Sequence, residues 1–95
     1  MRIEESVGYK RTKKKILKKY ILKKEDIEST LNIFQQNIHE PLLHYKKMTC
    51  KKDKNRYSIR ILNSSYRILM SVIDNRAFLV CVCDHDEYDY RNKNC

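Results

Sequence analysis

From residue 56 to residue 84 the chain runs at strand period. Tyr57, Ile59 and Ile61 alternate with Ser58, Arg60 and Leu62, and Asn63-Ser64 then supplies turn chemistry. A second strand is expected over 66–73. A third, over 76–83, follows an Asp74-Asn75 turn, and its run Ala77-Phe78-Leu79-Val80-Cys81-Val82-Cys83 is apolar on both faces, as suits a strand inside a sheet. Upstream the period changes to that of helices. Tyr9, Thr12, Ile16, Leu17 and Tyr20 share one helical face, with a helix starting near Tyr9. After Lys23-Lys24, Glu25-Asp26 marks the first turn of a second helix, whose stripe is Ile27, Leu31, Phe34 and Ile38 and which Pro41 is expected to stop. Residues 1–5 suit a short edge strand. The expected architecture is one α+β domain over 1–95. It comprises a helical hairpin (about 8–39) packed on a small, mainly antiparallel sheet, a basic loop (42–55), a meander (56–84) and a polar tail (85–95), with the second sheet face open for a ligand.

Turn geometry adds a charge argument. If Asn63-Ser64 closes a two-residue loop, Leu62 pairs with Ser65, Ile61 with Tyr66 and Arg60 with Arg67. Like charges directly opposite cost up to about 1 kcal/mol unless an anion sits between them. A phosphate would do so; the alternative is a network with Asp84, Asp86 or Glu87. The same arithmetic sets Val82 opposite Arg67 and brings the acidic tail near both arginines.

Composition points the same way. With 95 residues, 21 Lys and Arg against 12 Asp and Glu, and a formal charge of +9, the chain suits a polyanionic partner. No apolar run is long enough to span a membrane and the start is charged, so a cytoplasmic location is expected. One glycine and one proline leave no room for a Gly-rich phosphate loop, and there is no Walker motif. The four cysteines are Cys50, Cys81, Cys83 and Cys95. Cys81 and Cys83 point to one face of an apolar strand, as buried thiols of a reducing compartment would.

The lysines Lys10, Lys13, Lys14, Lys15, Lys18 and Lys19 either form a solvated face or hold phosphates; their i,i+4 repulsion favours a polyanion. The loop offers Lys46, Lys47, Lys51, Lys52 and Lys54, followed by Arg56. Interleaved with Tyr45, such cations can hold single-stranded RNA, although Tyr45 and Met48 can equally anchor the loop to the core. Candidate RNA-binding residues are therefore Lys14, Lys18, Lys46, Lys47, Lys51, Lys52, Lys54 and Arg56. Cys81-x-Cys83-x-His85 could be taken for metal ligands, but the spacing is not a zinc knuckle's, and no metal or other cofactor is expected.

Several stretches together resemble the RelE/ParE toxin superfamily, and within it the RelE/YoeB/YafQ-like mRNA interferases. They are Tyr57-Ser58-Ile59-Arg60-Ile61, Tyr66-Arg67-Ile68-Leu69 and Val72-Ile73-Asp74 for the central hairpin, Glu40-Pro41-Leu42 after the second helix, and the histidine-containing, aromatic-ending segment from His85 to Tyr88. Met1-Arg2-Ile3-Glu4, Tyr9 and the lysine-rich helix are similar to the superfamily's first strand and helix. Ser58 stands where RelE has a second lysine, and residues 84–87 are acidic where RelE has an arginine. This departure favours a carboxylate-histidine version of the chemistry.

The resemblance implies a metal-independent endoribonuclease, the toxin of a type II toxin-antitoxin system, which cuts mRNA on the ribosome. Such cleavage needs a base for the 2′-hydroxyl, cations for the phosphorane and an acid for the departing 5′-oxygen. The candidates are Glu40 and His85 for proton exchange, Arg60 and Arg67 for the phosphate, and Tyr88 to position the substrate. Implied partners are mRNA, ribosomal RNA and a cognate antitoxin. The alternatives are a gyrase-inhibiting ParE-like toxin, a nucleic-acid-binding relative without activity, and a metal-dependent nuclease.

Overall fold

The computed structural model describes residues 1–84. The elements are β1 (Arg2–Glu5), α1 (Val7–Lys18), α2 (Lys24–Gln36), a 3-10 turn (Pro41–Leu43), β2 (Lys46–Lys47), β3 (Arg56–Arg60), β4 (Arg67–Ile73) and β5 (Arg76–Cys83). Five strands form one sheet in the order β1-β5-β4-β3-β2. The meander from β2 to β5 is antiparallel, and β1 lies parallel to β5 at one edge. Both helices pack on one face, so the α+β expectation holds.

Local chemistry explains the helix ends. Ser6 caps α1: its Oγ accepts from the Tyr9 N–H at 3.1 Å. Glu25 and Asp26 occupy the first turn of α2, where the helix dipole favours them. Two details differ from expectation. Asn37, not Pro41, terminates α2: its N–H donates to Ile33 O at 2.8 Å while its Oδ1 accepts from the His39 N–H at 3.1 Å, so Ile38 lies beyond the helix. Tyr20 leaves the α1 stripe because the chain turns left-handed there (φ 57), which leaves the ring 93% exposed.

The core between helices and sheet gathers Tyr9, Ile16, Ile27, Phe34 and Leu43 against Ile59, Ile61, Ile68, Met70, Leu79 and Val82. Thr30 ties α2 to the hairpin. Fully buried, it donates to Asp26 O (2.6 Å) and accepts from the Leu62 N–H (3.0 Å). Leu62 therefore does not pair with Ser65 as the two-residue turn required. The ladder ends at Arg60 and Arg67, with an Ile61 N–H to Tyr66 O bond (2.9 Å) beyond it, and the Ser64 hydroxyl closes the loop by bonds to Ile61 O and the Tyr66 N–H. Thr30→Val strands the Leu62 N–H and is expected to cost about 1–3 kcal/mol, lowering the melting temperature by roughly 5–20 °C in thermal unfolding.

The largest departure is in β5. Ile73 faces Arg76 and Met70 faces Leu79, but Leu69 faces Cys81, so Val80 is an extra residue and Arg67 faces Cys83 rather than Val82. This β-bulge moves the later side chains to the other face. Ala77 and Leu79 point at the helices before it and Val82 after it, while Cys81 and Cys83 turn away, their sulfurs 2.8 Å apart, to pack with Met48 and Leu69. The start of α1 fits the bulge: Ser6 Oγ donates to Val80 O (3.1 Å), and a Cβ on Gly8 would stand 3.1 Å from that same oxygen.

Candidate functional site

The sheet face away from the helices carries the cations. Cross-strand partners share a face, so Lys46 opposite Ser58, and Arg60 opposite Arg67, set three cationic side chains on one surface. The pairing of the two arginines is the one the turn predicted. Arg60 is exposed and Arg67 half-buried; the Arg60 Nε–H donates to Ser64 O at 2.8 Å, which fixes the plane of its guanidinium. Ser58, where a second lysine was lacking, is fully buried, and its hydroxyl finds no partner among the described residues.

That face is not wholly open. The basic loop forms the edge strand β2 and then crosses the sheet: Met48 is buried against Leu69, Cys81 and Cys83. Asp53 holds the crossing in place. Its carboxylate accepts from Ser71 Oγ, from the Asn55 N–H (2.9 Å) and from the Arg56 guanidinium (3.2 Å). Burial pushes the Asp53 carboxyl up, but the Ser71 and Asn55 hydrogen bonds and the Arg56 charge outweigh it and hold it below the usual carboxylate range. A depressed folded-state pKa stabilises the fold above the unfolded-state value of about 4 and ceases to do so as pH falls through the folded value. Asp53→Asn is therefore expected to lower stability at neutral pH and to flatten its decline on acidification below about pH 5, as read from urea midpoints across pH. Arg56 thus has a structural partner, and Lys51, Lys52 and Lys54 stand exposed around it.

Tyr45 is half-buried and packs against the core. Its ring stacks on Tyr57 (centroids 4.9 Å, planes 2° apart) and meets Phe34 at 5.9 Å, which anchors the start of β2. Burial, then the neighbouring Tyr57, raises the Tyr45 pKa.

Beside Arg60, between the 3-10 turn and the β3–β4 hairpin, lies a cleft of about 480 Å³ lined by Leu42, His44, Arg60, Ile61, Leu62, Asn63 and Ser64. Glu40, the proposed base, is half-buried at the start of that turn, where its carbonyl accepts from the Leu43 N–H, and is not part of the lining. His44 is. It ends the turn in the left-handed region (φ 48), with its N–H donating to Pro41 O at 3.2 Å. The sequence places His44 in the basic loop 42–55 and among the side chains that could complete a metal site with Cys81, Cys83 and His85, not in the cleavage machinery; the signal for the cleft was its place just after Pro41-Leu42-Leu43, where the chain reverses. His85 and Tyr88 lie outside the described residues. Among the described residues no cluster of His, Cys, Asp and Glu could hold a metal ion, and no helix is long and apolar enough to cross a membrane.

The lysines of α1 form a separate surface. Lys10, Lys14 and Lys18 follow one another at i,i+4 and line a groove of about 620 Å³ with Lys13, Leu17 and Lys24. Lys13 pairs with Glu5 at 3.9 Å and lies 5.8 Å from the Tyr9 ring centroid. Because α1 covers the opposite side of the sheet, Lys14 and Lys18 do not join the Arg60–Arg67 surface. A smaller cavity at the end of α1 brings Lys15 and Lys19 beside Tyr66, at the base of the hairpin.

This arrangement, two helices on one face of a five-stranded, mostly antiparallel sheet with the hairpin cations on the other, is the RelE-like α+β fold. A copper-bound mutant toxin from Helicobacter pylori superposes with a TM-score of 0.74 at 12% identity, over 92% of this chain and 97% of its own. YafQ from E. coli does so at 0.74 and 10% (93% and 98% covered), and the conserved hypothetical protein HP0892 from Helicobacter pylori at 0.67 and 15% (93% and 98%). The sequence matches no family model and no curated protein.

Proposed function

We propose that this chain is the toxin of a type II toxin-antitoxin pair and cuts mRNA on the ribosome without a metal. The observation that carries the reading is the face-to-face pair Arg60 and Arg67, with Lys46 on the same surface. Two guanidinium groups set side by side on one surface can hold a phosphodiester between them as a clamp. The likeness of the fold to a Helicobacter pylori toxin supports the same reading.

In the proposed reaction a base takes the proton of the 2′-hydroxyl, the O2′–P bond forms and the P–O5′ bond breaks. An acid gives the 5′-oxygen its proton, leaving a 2′,3′-cyclic phosphate and a 5′-hydroxyl. Arg60 and Arg67 stabilise the extra negative charge on the phosphorane, the largest electrostatic demand of the step. Glu40 and His85 exchange the protons, and Tyr88 positions the substrate. The exposed lysines of α1 and of the loop, including Lys14, Lys18, Lys47, Lys51, Lys52 and Lys54, grip ribosomal RNA, chiefly through counterion release. A cognate antitoxin, acidic where it meets this basic surface, is the protein partner, and the cytoplasm is the place of action.

Primer extension on a defined mRNA held in programmed ribosomes tests the reaction. Cuts within the decoded codon, with 5′-hydroxyl downstream ends, are the expected result. Intact message at stoichiometric protein would contradict it.

A further inference from the structure

We propose that the cleft between the 3-10 turn and the β3–β4 hairpin is a subsite for one nucleotide of the substrate strand, with His44 and Arg60 as its polar wall. This rests on the reading of the chain as an RNA-cleaving toxin and deepens it, by assigning the nucleotide next to the scissile phosphate a place on the protein.

Size and chemistry both favour a nucleotide. About 480 Å³ is far more than a phosphate group fills, and suits a base with its sugar. One part of the wall is apolar, formed by the half-buried Leu62 and by Leu42, the latter 59% exposed on a turn whose next residue, Leu43, is fully buried. The other part presents the His44 imidazole and the Arg60 guanidinium. Unstacked RNA bases are taken up by such flat cationic or aromatic groups, which stack on the ring or bond to its edge.

Arg60 is held for this use. Its Nε–H is engaged with Ser64 O, which orients the guanidinium plane, and that bond does not use the Nη donors. Arg60 both stands opposite Arg67 and lines the cleft, so a strand whose phosphate the arginine pair holds would have its neighbouring nucleotide beside the cleft.

The backbone of His44 is left-handed (φ 48), a conformation that glycine adopts readily, so His44→Gly removes the imidazole from the cleft without straining the turn. Sequence expectation gave this residue no role in RNA cleavage.

The test is a titration of the isotope-labelled full chain, followed by amide NMR shifts, with AMP, GMP, CMP and UMP, and with inorganic phosphate as the control. Saturable shifts at Leu42, His44, Arg60 and Ser64 are expected with at least one nucleotide, and roughly fivefold or more weaker binding of phosphate alone. His44→Gly, which suits the backbone, is expected to keep the fold and its melting temperature while losing roughly fivefold or more in nucleotide affinity. Phosphate binding as tightly as the best nucleotide, or His44→Gly binding like the wild type, overturns the subsite. Nucleotide binding at the cleft by a protein that cuts no RNA would sink the proposed reaction and leave the subsite standing. Cleavage by a protein that binds no nucleotide there would sink the subsite alone.

Discussion

Arg67→Ala is expected to lose RNA cleavage by about a hundred- to a thousandfold while the domain stays folded. The size follows from the role: removing one preorganised donor to a developing oxyanion costs about 3–4 kcal/mol of transition-state stabilisation. Stability should move far less. Arg67 points away from the helix-side core, which Ile59, Ile68 and Val82 continue to fill, so the substitution removes some stem packing from a half-buried side chain. It also removes the repulsion from Arg60 directly opposite, worth a few tenths of a kcal/mol to about 1. The loss of the interaction that the guanidinium makes within the fold adds to the first term, and a net loss of up to about 2 kcal/mol, well short of unfolding the domain, is expected. Single-turnover cleavage of ribosome-bound message, read beside urea unfolding, separates the two quantities. A variant that keeps most of its activity would remove the phosphate role, and one that unfolds would make Arg67 structural.

The second large effect falls on stability. Phe34→Ala should cost about 3–5 kcal/mol, since Phe34 is fully buried and a cavity replaces a ring. For a domain of this size the total is about 5–14 kcal/mol, and the melting temperature is expected to fall by roughly 15–30 °C. The loss also reaches the site. Phe34 meets Tyr45, Tyr45 stacks on Tyr57, and that ladder fixes the segment that carries His44 and Lys46. Without it the loop should exchange amide protons faster than β4, even below the transition. Equal protection in both places would show that the aromatic ladder does not position the loop.

How much of this was legible depends on how strongly each residue's neighbours constrained it. The Arg60–Arg67 pairing was legible because alternation in 57–62 fixes the faces and Asn63-Ser64 fixes the reversal. Even there the predicted turn was too tight, since a bond across the structure, from the Leu62 N–H to Thr30, replaced a local one. The bulge at Val80 was not legible. Residues 77–83 are apolar on both faces, so inserting one residue exposes nothing, and the hydrophobic pattern cannot choose a register. The cover that Met48 and Asp53 lay over the second face was also hidden, since a basic loop gives no sign that one carboxylate within it will find Ser71. Glu40 and His44 show the same limit at the site: a short Pro-Leu-Leu turn decides which of them lines the cleft, and only the backbone conformation settles it.

The most direct test of the central claim is the mapping of transcript 5′ ends after induction of the wild-type chain and of Arg67→Ala in a bacterial host, with growth and a DNA-damage reporter followed together. New ends inside translated codons, in frame and absent in the variant, with a silent reporter, are what the proposed reaction predicts. Intact transcripts with an active damage reporter would contradict it and move the chain to the gyrase-inhibiting class.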